Sequence, residues 1–204
     1  MKSHFCRRVF LKGAAAAAAL APLAATAASP LDGSRLVAMA RELARRNARR
    51  IKKSDIVALA DFSAPSWSPR FHLVDIERGE VKSMLTAHGR GSDPRHTGWL
   101  KTFSNAVGSY ASSSGAYLTG AQYDGKYGRA MRLTGLDPEN SNADRRAIVI
   151  HSAWYVSDDM IGKYGKLGRS EGCFALSETG LKETLDALGP GRLLYAGKLQ
   201  DFIL

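Results

Sequence analysis

Short apolar runs, separated by turns rich in glycine and serine, restrict this chain to a mainly β architecture. Each run has the length of a strand and is too short for an average helix. Two of them, 71–76 and 81–87, flank Glu77-Arg78-Gly79-Glu80, which predicts a hairpin turn. This density of strands favours a sandwich or barrel over a helical bundle. The predicted strands cover residues 56–60, 71–76, 81–87, 115–119, 146–151 and 192–196.

Two segments carry a helical pattern. After Asp32, the apolar residues Leu36, Ala40 and Leu43 recur at helical spacing, and eight Lys or Arg between residues 35 and 53 lie mainly on the other face. This basic amphipathic helix could lie on an anionic membrane surface or pack against the main domain. Packing is the commoner arrangement and the one we expect. A second helix is predicted at Ser177–Leu188, closed by Gly189-Pro190-Gly191.

The first 27 residues have the order of a secretory signal peptide. Met1–Lys12 is basic, and the alanine-rich segment Gly13–Leu23 is weakly hydrophobic. Ala25-Thr26-Ala27 then offers the small residues that a signal peptidase needs. The apolar segment is too short to span a bilayer comfortably. We therefore predict that residues 1–27 are removed on export.

The type of export signal follows from the paired arginines. Arg7-Arg8 before Val9-Phe10-Leu11-Lys12 resembles a twin-arginine signal, although Cys6 stands where such signals usually carry Ser or Thr. An ordinary Sec signal is the alternative. In either case the mature protein begins near Ala28 and works in the periplasm. It then consists of a basic helical segment at 28–54 and one domain at 55–204.

Loss of the signal changes the cysteine count and the charge. Cys6 leaves with the signal, so Cys173 remains alone and no intramolecular disulfide is possible. An unpaired thiol in an oxidising compartment is either buried or used. Four Lys or Arg also leave, and the formal net charge falls from +10 to +6. This charge favours weak contact with an anionic envelope surface, and no motif indicates nucleic-acid binding.

The residues that carry chemistry lie between 147 and 177. The apolar run Ala147–Ile150 ends at His151, and Cys173 follows 22 positions later. A free thiol with a pKa of about 8.5 is mostly protonated near neutral pH, so a cysteine nucleophile needs a base such as imidazole. Gly172 permits a tight turn, and the N–H groups of Gly172 and Cys173 could hold an oxyanion. The spacing alone leaves open both catalysis and a buried, unreactive cysteine.

The motifs around these residues resemble a known family. Residues 148–154, Ile-Val-Ile-His-Ser-Ala-Trp, followed by Ser170-Glu171-Gly172-Cys173, are similar to the signature of the L,D-transpeptidase catalytic domain, also called the YkuD-like domain. The family pattern is a His, a loop, and then Ser/Thr-His-Gly-Cys. The resemblance covers roughly residues 55–196. Further segments resemble the murein L,D-transpeptidase branch: Ala87–Arg90, Phe103–Asn105, Ser113–Tyr117 and Gly168–Ser170.

The resemblance implies a fold, a reaction and a partner. The fold is a mainly β, YkuD-like sandwich or barrel with a catalytic loop. The partner is a peptidoglycan stem peptide: Cys173 attacks the carbonyl after meso-diaminopimelate, expels the terminal D-Ala, and passes the acyl group to an amine of a second stem. His151 is then the general base and later the acid. Ser152 and Ser170 orient the base and shape the loop, and Gly172 supplies an oxyanion N–H. No cofactor is expected.

This sequence departs from the family pattern at two positions. Glu171 replaces the second histidine of the motif, and Ala175 replaces the arginine that commonly follows the cysteine by two residues. Arg169 could take over the role of that arginine as a bidentate clamp for the substrate carboxylate, or it could only stabilise the loop. The thiol chemistry needs neither missing residue.

Besides Arg169 and Ser170, two further residues are candidates for substrate contact. His88 ends a predicted strand and either borders the cleft or is a structural histidine. Tyr117 either lines a groove for an extended peptide or is an ordinary half-buried strand aromatic. No set of histidines with acids or thiols has familiar zinc spacing, so no metal is expected.

Two rival functions remain open at this point. An L,D-carboxypeptidase or endopeptidase would hydrolyse the same acyl-enzyme with water in place of the amine. A catalytically silent envelope-binding module would use Cys173 only for packing.

Overall fold

The computed structural model describes residues 32–125 and 128–204, so the predicted signal peptide at 1–27 lies outside the described residues. Within these ranges the chain forms eight strands and three α-helices. The helices are α1 (Gly33–Arg46), α2 (Asp158–Tyr164) and α3 (Glu178–Leu188). The strands are β1 (Ile56–Asp61), β2 (Phe71–Asp75), β3 (Glu80–Met84), β4 (Gly115–Gly125), β5 (Gly128–Gly135), β6 (Val149–Ser152), β7 (Phe174–Leu176) and β8 (Leu193–Gly197).

The strands form one sheet in the order β3-β2-β1-β8-β4-β5-β6-β7. Neighbouring strands are antiparallel, except that β1 runs parallel to β8 and β6 runs parallel to β7. Beyond β3 the chain reaches the opposite edge, where the Ala87 N–H donates to the Ala175 carbonyl at 3.0 Å. The two edges therefore meet in a nearly closed, barrel-like sheet. The predicted mainly β class is confirmed.

The two faces of the sheet carry separate apolar clusters, because side chains alternate along each strand. One cluster contains the buried rings of Phe62, Tyr117 and Phe174, with the last two packed edge to face at 5.4 Å between centroids. Helix α3 covers this cluster with Leu181 and Leu185. Its start is fixed by Ser177, whose hydroxyl accepts the Gly180 N–H at 3.1 Å.

Helix α1 covers the opposite face. The Asp32 carboxylate accepts the Arg35 N–H at 2.8 Å and so caps the helix. The buried side chains of Met39 and Leu43 belong to the same cluster as Leu59 of β1. A fully buried side chain of this size contributes about 1.5–3 kcal/mol relative to exposure. The apolar face of α1 is thus occupied by the sheet, which confirms the packed arrangement over the membrane-surface one.

Several elements differ from the sequence-based expectation. The segment 128–135 forms the full strand β5, and Asp158–Tyr164 forms the short helix α2, neither of which was predicted. Strand β6 begins at Val149, because Ala147 has a positive φ of 52° and cannot extend it. None of the helices within 32–125 and 128–204 is both long and apolar enough to cross a membrane.

Candidate active site

Two parallel strands bring the predicted nucleophile and base to one region. His151 lies in β6, and Cys173 directly precedes β7. Ile150 pairs with Phe174, and His151 pairs with Ala175. The loop of 21 residues between the two strands, which includes α2, therefore returns the chain beside its starting point. Both side chains border a groove of about 510 Å³.

The groove combines polar and aromatic groups. Tyr155 forms part of its wall, and Arg169 and Glu171 place their charged side chains at its border. Glu171 is exposed, and its carboxylate accepts from the Arg90 guanidinium at 3.0 Å. Cys173 is half-buried as a residue, and it forms part of the groove wall.

The Cys173 thiol contacts the segment that leads into β6. Its Sγ donates to the Ala147 carbonyl at 3.5 Å, and the Val149 N–H stabilises the sulfur when it is ionised. Burial raises the pKa of Cys173 above its ordinary value, and the Val149 N–H and the Arg146 charge act in the opposite direction. The resting thiol is therefore protonated near neutral pH, and a base must take its proton during attack.

The His151 ring is held by a main-chain bond. Its Nδ1 donates to the Ser152 carbonyl at 2.8 Å, an arrangement that leaves Nε2 as the proton acceptor. Burial lowers the pKa of His151, so the imidazole is neutral near pH 7. Among the described residues no hydrogen bond joins this ring to Sγ. Such contacts often tighten only when substrate binds.

Ser152 contributes through its backbone more than through its hydroxyl. The carbonyl orients His151, as described above. Its side chain borders a second cavity of about 770 Å³, which lies beside α3 and is lined in part by Glu178 and Lys182. The predicted orienting role of Ser152 thus has a structural basis in its main-chain oxygen.

The turn before Cys173 is closed by Ser170. The Ser170 hydroxyl donates to the Cys173 carbonyl at 2.7 Å and accepts the Gly172 N–H at 3.1 Å. Ser170 therefore shapes the loop, as expected, and its hydroxyl is not free to bind substrate. The Gly172 N–H is also engaged, so the predicted oxyanion role for this group is not supported by the geometry. The Cys173 N–H remains the candidate donor.

Gly172 has a steric reason to be glycine. Its φ is +114°, a conformation that side chains rarely adopt. A Cβ at this position would lie 2.7 Å from the Ala111 carbonyl oxygen and 2.9 Å from an Arg146 terminal nitrogen. The turn that presents the thiol can form only where this position has no side chain.

The Arg169 side chain is held by hydrogen bonds to the backbone of the 93–94 segment. Its guanidinium donates to the carbonyls of Asp93 and Pro94, the latter at 3.3 Å. These bonds join the 168–173 turn to the 93–94 segment. Of the two predicted roles for Arg169, the hydrogen bonds support loop stabilisation, although the side chain also borders the groove.

His88 lies away from the groove. Its side chain is 1% exposed, and Nδ1 accepts from Arg70 at 2.8 Å. The Nε2 atom points to Asp93 at 3.5 Å and has no hydrogen-bond partner among the described residues. Burial and the Arg70 charge lower the pKa of His88 to about 3. The structural reading of His88 is therefore the one the structure supports, and in this conformation His88 cannot contact a substrate.

Tyr117 is part of the core. The side chain is fully buried, and its hydroxyl donates to the Ser113 carbonyl at 2.9 Å. Burial raises its pKa to about 12. The predicted substrate contact for Tyr117 does not occur in this structure, because the inward face of β4 is covered by Phe174.

A comparison of the sequence with known families decides the assignment. The family described as the L,D-transpeptidase catalytic domain matches residues 31–196. The chain belongs to the L,D-transpeptidase catalytic domain family. The match includes α1, so the family region begins before the domain boundary predicted at residue 55.

Solved structures with a similar arrangement are distant in sequence, and no curated protein matches the chain. An L,D-transpeptidase from Mycobacterium smegmatis is 16% identical, with a TM-score of 0.44, over 70% of this chain and 58% of that one. L,D-transpeptidase 3 from Mycobacterium tuberculosis, in complex with a faropenem-derived adduct, is 15% identical, with a TM-score of 0.45, over 70% and 60%. The chain thus spans less than two thirds of the length of these proteins.

One residue beside the Cys173 turn of this L,D-transpeptidase domain, Arg146, was not predicted from the sequence as part of the site. Arg146 is half-buried beside Gly172, and its guanidinium donates to the Ser104 carbonyl at 2.8 Å and to the Ser113 hydroxyl at 2.9 Å. Ser104 and Ser113 both lie in segments that resemble the family. That resemblance was the only sequence feature that pointed to this part of the site. Arg146 itself looked like an ordinary polar residue at the start of the predicted strand 146–151. Its partners are 42 and 33 positions away, so sequence spacing could not reveal them.

The described residues also include no group of three or more His, Cys, Asp or Glu side chains placed to hold a metal ion. The groove is lined by a thiol and an imidazole, those of Cys173 and His151, together with the charged side chains of Arg169 and Glu171.

Proposed function

We propose that this L,D-transpeptidase domain forms a thioester between Cys173 and a peptidoglycan stem peptide and transfers the acyl group to an amine of another stem. The observation that supports the proposal is the shared groove, where the half-buried Cys173 thiol and the His151 ring border the same open space. The family assignment adds the reaction class.

The geometry suggests a general-base mechanism from a neutral pair. Burial raises the pKa of Cys173 and lowers the pKa of His151, so both groups are uncharged at rest. As Sγ attacks the carbonyl carbon after meso-diaminopimelate, the thiol proton passes to Nε2 of His151. The Ser152 carbonyl, bound to Nδ1, stabilises the imidazolium that forms. The proton then moves to the departing D-Ala nitrogen, and the thioester remains.

The second half-reaction reverses the roles. The amine of a second stem attacks the thioester carbonyl, His151 takes the proton from that amine, and Cys173 leaves as the thiol after it regains a proton. The oxyanion of each tetrahedral intermediate needs a donor, and we assign this role to the Cys173 N–H. One such donor is typically worth about 10²–10³ in rate.

The proposal places the protein in the periplasm. Its support is the order of residues 1–27, with Arg7-Arg8, an alanine-rich segment and a small-residue cleavage site. Exchange of both arginines for lysine is expected to retain the protein in the cytoplasm if the twin-arginine route is used. Normal export of that variant, seen by cell fractionation, would favour the Sec route.

The activity is tested on a disaccharide-tetrapeptide, with products followed by mass. Cross-linked dimers are expected if the acyl-enzyme is transferred to an amine. Tripeptide without dimers would instead support the hydrolytic alternative. A carbapenem, whose strained lactam acylates nucleophiles, should add its mass to Cys173 and should not do so in Cys173→Ala.

The controls separate the assigned roles. In full-length protein that still carries residues 1–27, Cys6→Ala is the matched cysteine control and should keep the adduct. His151→Ala should slow acylation by roughly 10²–10⁴-fold, the usual contribution of a general base. An acylation rate equal to that of the wild type in folded His151→Ala would contradict the base assignment. A folded wild-type protein that gives no adduct and no product would point to the silent envelope module.

A further inference from the structure

The Arg146 guanidinium holds together two stretches of chain beneath the catalytic turn. One terminal nitrogen donates to the Ser104 carbonyl at 2.8 Å and to the Ser113 hydroxyl at 2.9 Å. The other donates to the Ala111 carbonyl. All three acceptors lie in the segment before β4, and Arg146 itself lies just before β6. The planar guanidinium is suited to such a set of fixed acceptors.

The same group is in close contact with the turn that carries Cys173. The space that a Cβ at Gly172 would occupy is 2.9 Å from the second terminal nitrogen of Arg146. The Ala111 carbonyl, which that nitrogen binds, borders this space at 2.7 Å. Arg146 and Gly172 are therefore packed directly against each other. A movement of the guanidinium would displace the turn, and with it the nucleophile.

The positive charge of Arg146 has no carboxylate partner. Among the described residues, its hydrogen-bond acceptors are two carbonyls and a hydroxyl, and no Asp or Glu oxygen lies within salt-bridge distance. The side chain is half-buried, so solvent screens its field less than that of an exposed arginine. An unbalanced cation in such a place favours any neighbouring group that can become an anion.

Two neutral groups that can ionise lie within reach of this charge. The Arg146 charge lowers the pKa of both Tyr117 and Cys173. Burial nevertheless raises the pKa of Tyr117 to about 12, so the phenol stays neutral. A thiol has a lower ordinary pKa than a phenol, so Cys173 is the group of this pair that ionises first, and the Arg146 charge opposes the rise that burial causes in the pKa of Cys173.

We propose that Arg146 is a positioning residue for Cys173, because its guanidinium fixes the Gly172 turn and supplies an unpaired positive charge that favours the thiolate. The proposal rests on the proposed function, since it assigns Arg146 to the same nucleophile. It also accounts for Ala175: the positive charge near the thiol comes from a residue before β6 in this chain and needs no arginine after the cysteine.

Other charged and titratable groups act on the same sulfur. Glu171 opposes Arg146 and raises the pKa of the thiol. Tyr155 lines the same groove and stays protonated, with a pKa raised to about 12 by burial. His151 borders the same groove and is neutral at rest. A change at Arg146 alone should therefore leave the negative field of Glu171 unbalanced.

The test is the pH dependence of Cys173 alkylation by iodoacetamide, followed on the Cys173 peptide by mass so that Cys6 does not contribute. Arg146→Gln should raise the midpoint of the pH–rate profile by about one pH unit and slow alkylation at pH 7 about tenfold. Arg146→Lys keeps the charge and should keep the midpoint of the wild type. Arg145→Gln is the matched control, because this exposed neighbour loses the same charge away from the turn.

The outcomes are distinct. A folded Arg146→Gln variant with the wild-type midpoint overturns the proposal. If that variant does not fold, Arg146→Met, which removes the charge and fills a similar space, is measured in its place: a raised midpoint supports the role of the charge, and the wild-type midpoint overturns it. Alkylation needs no wall substrate, so failure of the transpeptidase assay would leave this result standing.

Discussion

At the scale of single residues, the reactivity of Cys173 depends on opposed local influences. The Val149 N–H and the Arg146 charge favour the thiolate, and burial and the Glu171 carboxylate favour the thiol. Glu171 is one of the two residues that depart from the family pattern, and it is held at the groove by Arg90. The Arg90 guanidinium lies 3.8 Å from the centre of the Tyr110 ring. The departure thus adds a negative charge two residues from the nucleophile.

Removal of that charge should make the thiol more acidic. In Glu171→Gln the repulsion between carboxylate and thiolate is lost, so the pKa of Cys173 should fall and alkylation at pH 7 should become about twofold faster. The expected effect is small because Glu171 is largely exposed and well screened. Glu178→Gln, an exposed acid at the second cavity, serves as control and should alkylate at the wild-type rate. Slower alkylation of Glu171→Gln would contradict this account.

The candidate nucleophile and base could be located in the sequence, and their supporting residues could not. Cys173 and His151 stood out as an unpaired cysteine after Gly172 and a histidine at the end of an apolar run, and the family resemblance supplied their expected roles. The sequence left open whether His88 borders the cleft or is structural, and its buried partner Arg70 lies 18 positions away. Hydrogen-bond partners at such separations depend on the finished fold, which no local pattern encodes.

At the scale of elements, the catalytic turn is shaped from both of its sides. Ala147 adopts a positive φ of 52° before β6 and directs its carbonyl to Sγ, and Gly172 adopts a φ of +114° before β7. The apolar run at 147–150 predicted a strand through Ala147, because hydrophobicity reports burial and not backbone angles. The two irregular residues displace the strand ends and so leave room for the thiol.

Two glycine-to-alanine substitutions should show that a side chain is tolerated at an unhindered glycine but not at Gly172. Gly172→Ala places a Cβ against the Ala111 carbonyl and Arg146 at a φ that alanine rarely adopts, so we expect a loss of about 2–3 kcal/mol of stability and much slower acylation. Gly162→Ala, in α2, meets nothing within 4 Å and should be neutral or up to about 1 kcal/mol stabilising. Urea denaturation measures both. Equal stabilities of the two variants would disprove the steric role of Gly172.

The other helices and strands were predicted accurately where the local sequence pattern was strong, and missed where it was weak. Strands β1, β2 and β8 and helix α3 were predicted near their observed bounds, since each combines an apolar run with clear capping or turn residues. Helix α2 was missed although Ser157 caps it and Gly165 ends it. It buries no residue and so lacks the apolar periodicity on which helix prediction depends.

At the scale of the whole molecule, closure of the barrel connects the catalytic turn to a buried polar network. Beyond β3 the chain pairs with β7 at Ala87, and the His88 carbonyl accepts the Ser170 N–H at 2.9 Å. Behind this contact the fully buried Arg70 donates to the Thr86 carbonyl and to His88, and Asp93 accepts the Gly98 N–H at 2.8 Å. The turn that carries Cys173 is therefore packed on a buried network of Arg70, His88 and Asp93, whose hydrogen bonds depend on the protonation states of these side chains.

This network should make the folded protein sensitive to mild acid. The pKa of His88 is about 3 in the folded protein and about 6.5 when unfolded, so below pH 6.5 the unfolded chain binds a proton that the folded chain does not. Stability is therefore lost as the pH falls, by up to about 2 kcal/mol from His88 between pH 7 and 5. Burial also lowers the pKa of His72 and His151, which adds to the loss in the same direction. His88→Asn keeps an acceptor for Arg70 and removes the titration, so urea denaturation of this variant should show a smaller difference between pH 7 and 5. A pH dependence equal to that of the wild type would mean that His88 is not the group that links acid to unfolding.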